Sequence, residues 1–210
     1  MSGKTVYSLN DVHAQVILPS AFGMSVEDKS KNSIEKNNFA NAGYFALLRS
    51  GKTFPIGNLV INGYVKTSAD TQPAWLNTAK HELSTITVDW RNKPHFVKKG
   101  GFKEGEIKYA ISGIPIIRNG YKVSFADIKS EGYFGSELRD TWHGFLGVRG
   151  EKLVYIAAKV NFNLMPYLLE VFGISDGIKL DGGGSFILKS DDFIKKTSEN
   201  RRINNIITWR

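Results

Sequence analysis

The chain has no cysteine in 210 residues, which excludes disulfides, thiolate metal sites and a cysteine nucleophile. It also has no apolar run near the roughly 18 residues a membrane helix needs, so no membrane partner is expected. Its six prolines are scattered, and no Pro/Gly/Ser-rich linker, low-complexity tract or internal repeat divides it. One domain over residues 1–210 is therefore expected, close to the usual domain size of about 100–200 residues. The stretch Met1–Tyr7 lacks the apolar core of a secretory signal. With the absence of cysteine, that points to a cytoplasmic protein.

The residues present are those of a folded globule. Hydrophobic residues make up 41%, enough for a core, and 12% aromatics argue against disorder. Basic residues outnumber acidic ones by 28 to 20, for a net charge of +8. Such a balance favours an anionic partner. The charge is dispersed, with pairs at Lys98-Lys99, Lys195-Lys196 and Arg201-Arg202, and no basic stretch interleaves aromatics as a single-strand-binding groove would. Nucleic acid is therefore disfavoured, and a phosphorylated metabolite, an acidic polymer or a plainly solvated surface all fit the charge.

Short β-rich runs dominate. Strands are predicted over Thr5–Asn10, His13–Leu18, Leu59–Lys66, Ser84–Trp90, Lys108–Ser112, Ile114–Arg118 and Tyr121–Phe125. Further strands are predicted over Leu153–Lys159, Gly177–Leu180, Phe186–Lys189 and Ile203–Trp209. Asn62-Gly63 and Asn119-Gly120 each join two apolar runs. Asn-Gly tolerates the positive φ angles of a type I′ turn, so both predict hairpins and a largely antiparallel sheet.

Helices are few. Leu164–Phe172 carries apolar residues at helical spacing, with Asn163 as N-cap, Pro166 in the first turn and Gly173 past the end. A second helix is predicted over Asp191–Ser198, capped by Ser190, and a weaker polar one near Val26–Lys36. Together these give an α+β fold: a mostly antiparallel or mixed sheet core with two or three short helices.

Three segments carry chemistry. In Lys179-Leu180-Asp181-Gly182-Gly183-Gly184-Ser185 a strand runs into a carboxylate, three glycines and a hydroxyl. Glycine N–H groups, unobstructed by side chains, suit a phosphate or oxyanion, and Asp181 at a strand end is held rigidly. The same run also reads as a plain glycine-rich turn capped by Asp and Ser. In Phe39-Ala40-Asn41-Ala42-Gly43-Tyr44-Phe45, Asn41 offers an amide on a tight loop, although the segment taken alone favours a core strand edge with an aromatic anchor. Arg139-Asp140-Thr141-Trp142-His143 brings a guanidinium, a carboxylate and an imidazole before an apolar strand. His143 is the attractive titrating group, since imidazole titrates near neutrality.

In this order the segments resemble the phosphodiester glycosidase domain family, which includes a lysosomal enzyme and many bacterial and phage proteins. The family reads approximately as Asn-Gly-Gly-Phe-Phe, a Gly-Pro-containing hairpin, Arg-Thr-Ala-x-Gly, Asn-Leu-Asp-Gly-Gly-Gly-Ser and a terminal Arg-x-x-x-Asn. The matching stretches are Asn41–Phe45, Ile111–Gly120, His143–Gly147, Lys179–Ser185 and Arg201–Asn205, within about residues 41–209. His143 stands where the family has Arg, Lys179 where it has Asn, and Ala42 where it has Gly. The usual Asp-Gly-Arg after Leu153–Lys159 is missing.

The resemblance implies a hydrolase that cleaves a glycosidic bond to phosphate in a sugar 1-phosphodiester or a nucleotide-derived phosphodiester. Ordinary glycosidases need a carboxylic acid to protonate an alkoxide leaving group. A phosphate monoester leaves as a stable anion, so the site needs a carboxylate near the anomeric carbon and donors on the phosphate. On this reading Asp181 is the base or cation-stabilising carboxylate. His143, Lys179, Arg201 and the N–H groups of Gly182, Gly183 and Gly184 hold the phosphate. Asn41, Ser185 and Asn205 orient sugar or water. Asp and Asn oxygens suit Ca²⁺ or Mg²⁺, but no ligand spacing calls for either, so no metal and no cofactor is expected. The departures at His143 and Lys179 leave a non-catalytic protein that sequesters a phosphorylated ligand as the alternative. The small, cysteine-free format suits a phage protein that acts on a nucleotide-like signal.

Overall fold

The computed structural model describes residues 6–9, 11–68, 83–98, 100–131, 140–191, 193–197 and 199–210. It is mostly β, with two short α-helices among those residues, rather than a balanced α+β fold. The larger sheet takes β1 (Val6–Leu9), β2 (Val12–Ile17), β7 (Leu59–Ile61), β8 (Tyr64–Thr67), β9 (Ser84–Val88) and β10 (Pro94–Val97). It continues with β11 (Tyr109–Arg118), β12 (Tyr121–Lys122), β13 (Thr141–Arg149), β14 (Lys152–Val160) and β15 (Asp176–Gly182). Its main path runs β1-β2-β14-β13-β15-β11-β7-β8.

The smaller sheet is built from β3 (Phe22–Ser30), β4 (Phe39–Asn41), β16 (Ile187–Ser190), β17 (Phe193–Lys196) and β18 (Arg202–Trp209). Its order is β17-β16-β4-β18-β3. A separate hairpin joins β5 (Phe45–Leu47) to β6 (Thr53–Pro55). Every strand pairing among the described residues is antiparallel.

Strand β14 shows why the sheets stack. Leu153, Tyr155 and Ala157 join the core between the two sheets, while Val154, Ile156 and Ala158 join the core beneath the helices. Period-two alternation with both faces apolar marks a strand covered on both sides. Each such Leu or Ile contributes about 1.5–3 kcal/mol by leaving water. The opposite face of the larger sheet is covered by α1 (Phe125–Ser130), through Ile128, and α2 (Met165–Val171), through Met165 and Leu169.

Both Asn-Gly turns form. Asn62 and Gly63, and Asn119 and Gly120, all have positive φ, closing β7–β8 and β11–β12 with Ile61 opposite Tyr64 and Arg118 opposite Tyr121. Helix α2 ends at Gly173 (φ +66°). The N–H of Gly173 donates to Glu170 O and that of Ile174 to Leu169 O, a Schellman stop. At its start, however, Asn163 is not the cap. A 3₁₀ turn over Phe162–Leu164 leads straight in.

Several sequence expectations are corrected. The segment Asp191–Ser198 is not a helix: β17 occupies Phe193–Lys196 and pairs with β16, with Asp192 and Ser198 outside the described residues. Phe193 and Lys195 turn inward, onto His13 and Trp142, while Ile194 and Lys196 face out. That is a strand period, and the acidic start and Ser190 cap do not override it. Val26–Lys36 is likewise β3 followed by a 3₁₀ turn at Lys31–Ser33, because β3 pairs along β18. Tyr121–Phe125 is a strand only to Lys122, after which Ser124 caps α1 by accepting from Asp127 N at 3.1 Å. Lys108–Ser112 and Ile114–Arg118 merge into one strand, β11. Thr5, Asn10, Lys99 and Arg139 lie outside the described residues.

Candidate active site

The glycine run is where the chain crosses between sheets. β15 lies in the larger sheet between β13 and β11, a 3₁₀ turn spans Gly183–Ser185, and β16 continues in the smaller sheet. Each glycine answers a separate demand. A Cβ on Gly182 would sit 2.7 Å from Trp142 O and 2.9 Å from His143 Nδ1. Gly183 has φ +57° and opens to free space, and a Cβ on Gly184 would collide with Glu199 and Arg201. The entropy these glycines cost on folding is thus spent on a close strand approach and a left-handed turn.

Asp181 is pinned along its backbone. Its N–H donates to Ala42 O at 3.0 Å, and its carbonyl accepts from Asn41 Nδ2 at 3.0 Å. Its Oδ1 accepts from Gly182 N at 2.8 Å, so the Gly182 N–H, expected on a phosphate, is engaged with the carboxylate. A hydrogen bond to a carboxylate fixes its direction. Asp181 is partly exposed, so the carboxylate sits in a fixed position within reach of a ligand.

The other predicted residues fall into two groups. Asn41 and Asn205 are buried braces. Asn41 Oδ1 accepts from Ile187 N at 3.2 Å, tying the Asp181 backbone to β16. Asn205 Oδ1 accepts from Gly43 N at 2.7 Å, and its Nδ2 donates to Asn204 Oδ1. Their amides hold the loop in place, where the sequence pattern suggests that they orient sugar or water. Ser185 is buried within the 3₁₀ turn.

His143 and Lys179 share a face of the larger sheet, and the register of β15 against β13 shifts between Lys179 and Gly182, where Asp181 lies. His143 is opposite Gly182 and packs edge-on to Phe145, itself opposite Lys179. Both are essentially inaccessible, at 1% and 0% exposure. The Lys179 ammonium donates to Tyr44 Oη at 2.7 Å and Leu180 O at 3.1 Å. Arg201 lies on the rim beside Gly184, held by Glu199 at 2.5 Å with both side chains more than half exposed.

Lys31 carries no signal in the sequence. This buried lysine donates to Gly184 O at 2.9 Å and Thr197 Oγ1 at 2.8 Å, placing an ammonium beneath the glycine turn. Burial, together with nearby Lys196 and Arg201, lowers its pKa against the partial support of Glu199. No local pattern marks it, because its partners lie more than 150 residues away. Lys195, over the Trp142 ring at 4.7 Å, adds a cation on the neighbouring strand. Among the described residues no three His, Asp or Glu side chains group as metal ligands.

No protein-family model and no curated protein matches this sequence. Solved structures do match in fold. The catalytic domain of zebrafish N-acetylglucosamine-1-phosphodiester alpha-N-acetylglucosaminidase, auto-inhibited by its pro-peptide, superposes with a TM-score of 0.69 at 12% identity. The match covers 99% of this chain and 82% of that one. A hypothetical protein from Synechocystis gives 0.58 at 14% identity over 99% and 61% of the two chains. A putative exported protein from Burkholderia pseudomallei gives 0.60 at 8% identity over 94% and 73%. The chain thus shares the fold of a phosphodiester glycosidase catalytic domain. Among the described residues no helix is long and apolar enough to cross a membrane.

Proposed function

We propose that the protein is a hydrolase that cleaves the glycosidic bond to phosphate in a sugar 1-phosphodiester or a nucleotide-derived phosphodiester. The observation that carries this reading is the placement of Asp181. Asp181 is partly exposed and its carboxylate accepts from Gly182 N at the start of the glycine turn, with Lys179 two positions before it on β15, His143 opposite Gly182, and Lys31 and Arg201 beside the turn. Fold likeness to a phosphodiester glycosidase domain supports the same chemistry.

In this reading Asp181 faces the anomeric carbon, as base for the attacking water or as the carboxylate that stabilises an oxocarbenium ion. The cations and the N–H groups of Gly183 and Gly184 take the charge that builds on the departing phosphate. The ligand is an anionic phosphorylated small molecule, matching the net charge of +8, and the cysteine-free composition suits a reducing compartment such as the cytoplasm.

The test is incubation of the purified protein with a panel of sugar 1-phosphodiesters and nucleotide-derived phosphodiesters, followed by mass spectrometry. Release of a free sugar or ribose and a phosphate monoester is expected. Intact ligand carried through purification, with no product from any panel member, would replace the hydrolase reading with the sequestering one.

A further inference from the structure

Helix α2 is apolar on two opposite sides. Met165 and Leu169 are buried against the larger sheet. Leu164 at its start, Tyr167 and Val171, spaced i, i+3 and i+7, share the other side and are exposed. A stripe at that spacing ordinarily faces a core. The apolar surface extends past the helix. Lys122 Nζ lies 5.9 Å from the centre of the Tyr167 ring, which brings β12 alongside α2, and Tyr121 on β12 and Phe125 at the start of α1 are exposed too. Exposure of these five side chains runs from 50% at Phe125 to 81% at Val171. At roughly 150–250 Å² per large side chain, they present on the order of 600 Å² to water.

That area reaches the upper end of what a monomer leaves bare, about 300–600 Å². It also supplies the apolar part of one side of a standard interface, which buries about 800 Å² per partner, just over half of it apolar. The composition is that of an interface core, rich in Tyr and Phe and poor in charge. Residues 161–173 hold one charged side chain, Glu170, in a chain that is 23% charged. Across β12, α1 and α2 the charges are Lys122 and Lys129 against Asp127 and Glu170. These elements are therefore neutral, and the net charge of +8 is carried by the rest of the chain. Two copies repel through basic faces but meet here without that cost. A lipid surface fits less well, because an interfacial helix carries Lys or Arg on its polar side and α2 has neither.

We propose that the outer faces of α2, β12 and α1 form a dimer interface with a second copy of this chain, the same patch meeting itself across a two-fold axis. The dimer goes beyond the hydrolase reading and requires neither phosphate binding nor turnover.

Sedimentation equilibrium of the full chain from about 1 to 200 µM tests it. Wild type is expected to pass from 23.4 kDa to twice that mass as concentration rises. Val171→Lys puts a charge into the apolar interface at a helix end that tolerates a cation. It should weaken dimerisation at least about thirtyfold, as loss of an interface hot spot does. Tyr121→Ser probes the same patch from outside the helix and should also weaken it. Ile194→Thr, on β17 of the smaller sheet and likewise exposed, should dimerise as wild type. Thermal midpoints taken at a concentration where every variant is monomeric should agree, which separates lost association from misfolding. Wild type that stays monomeric at the highest concentration overturns the proposal, whether or not another protein binds the patch. A dimer that withstands Val171→Lys and Tyr121→Ser overturns it as well, since its interface then lies elsewhere.

Discussion

The ammonium of Lys31 donates to the carbonyl oxygen of Gly184 at 2.9 Å, joining residues 153 positions apart. This buried cation ties the end of β3 to the turn that crosses between the sheets, and Thr197 Oγ1 shares the same carbonyl. Lys31→Met should therefore loosen the turn and lower stability by about 1–3 kcal/mol, as loss of a buried hydrogen-bonding charge does. The pH dependence has a defined sign. The folded pKa lies below the ordinary 10.5, so between the two values the unfolded chain binds the extra proton. The stability linked to this group is greatest above 10.5 and falls as pH drops through the folded value. Denaturant unfolding from pH 8 to 10.5 should show that the wild-type minus Lys31→Met difference rises with pH. A flat difference contradicts the placement.

His13 makes a second pH prediction at the other end of the scale. It is buried, stacked on Phe193 with ring centroids 4.4 Å apart, and neither ring nitrogen has a hydrogen-bond partner among the described residues. Burial pushes its pKa below 6.5, so the unfolded chain takes up the proton first. Stability present above pH 6.5 is lost as pH falls through the folded value. His13→Phe, which keeps the stack, should lose less stability than wild type between pH 6.5 and 5. Equal losses would mean that the imidazole is not held neutral.

The glycines of the turn should differ in tolerance. Gly183 needs a left-handed φ but has open space, and Asn adopts that conformation, so Gly183→Asn should cost under about 1 kcal/mol. A Cβ at Gly182 meets the backbone carbonyl of Trp142, and Gly182→Ala should cost about 1–3 kcal/mol by overpacking. Denaturant midpoints check the ranking, and the reverse order would contradict the close approach of β13 to β15.

Arg201 is engaged with Glu199 at the exposed rim. Such pairs add little to stability, so Glu199→Gln should leave the thermal midpoint unchanged. It should also free the guanidinium and tighten phosphate binding roughly threefold at low salt, with the gain fading as salt screens it. Unchanged affinity at low salt would remove Arg201 from the anion site.

How much of the molecule is legible in the sequence depends on the range of the contact responsible. The Asn62-Gly63 and Asn119-Gly120 hairpins, and the Gly173 stop after α2, are short-range events between neighbours, and they stand as the local residues predict. β17 is hidden because Asp191, Asp192 and Ser190 imitate a helix start. Its strand character comes instead from pairing with β16 and from Phe193 and Lys195 packing inward on distant His13 and Trp142. At the site, the Asp181 turn is visible as three glycines after a carboxylate. The roles of Asn41 and Asn205 as braces are not, since they arise from partners 140 and 162 residues away. Lys31 has no local mark at all, and Tyr44 lies inside a visible motif that gives no sign of the Lys179 contact.

The central claim rests on the Asp181 carboxylate, and its most direct test is the single-turnover rate of wild type against Asp181→Asn on whichever phosphodiester of the panel releases a free sugar. Asparagine keeps the size of the side chain and an oxygen for Gly182 N while removing the charge. The account predicts a loss of several powers of ten in rate, with phosphate still bound and the thermal midpoint close to wild type. Turnover near the wild-type rate in folded Asp181→Asn would contradict it.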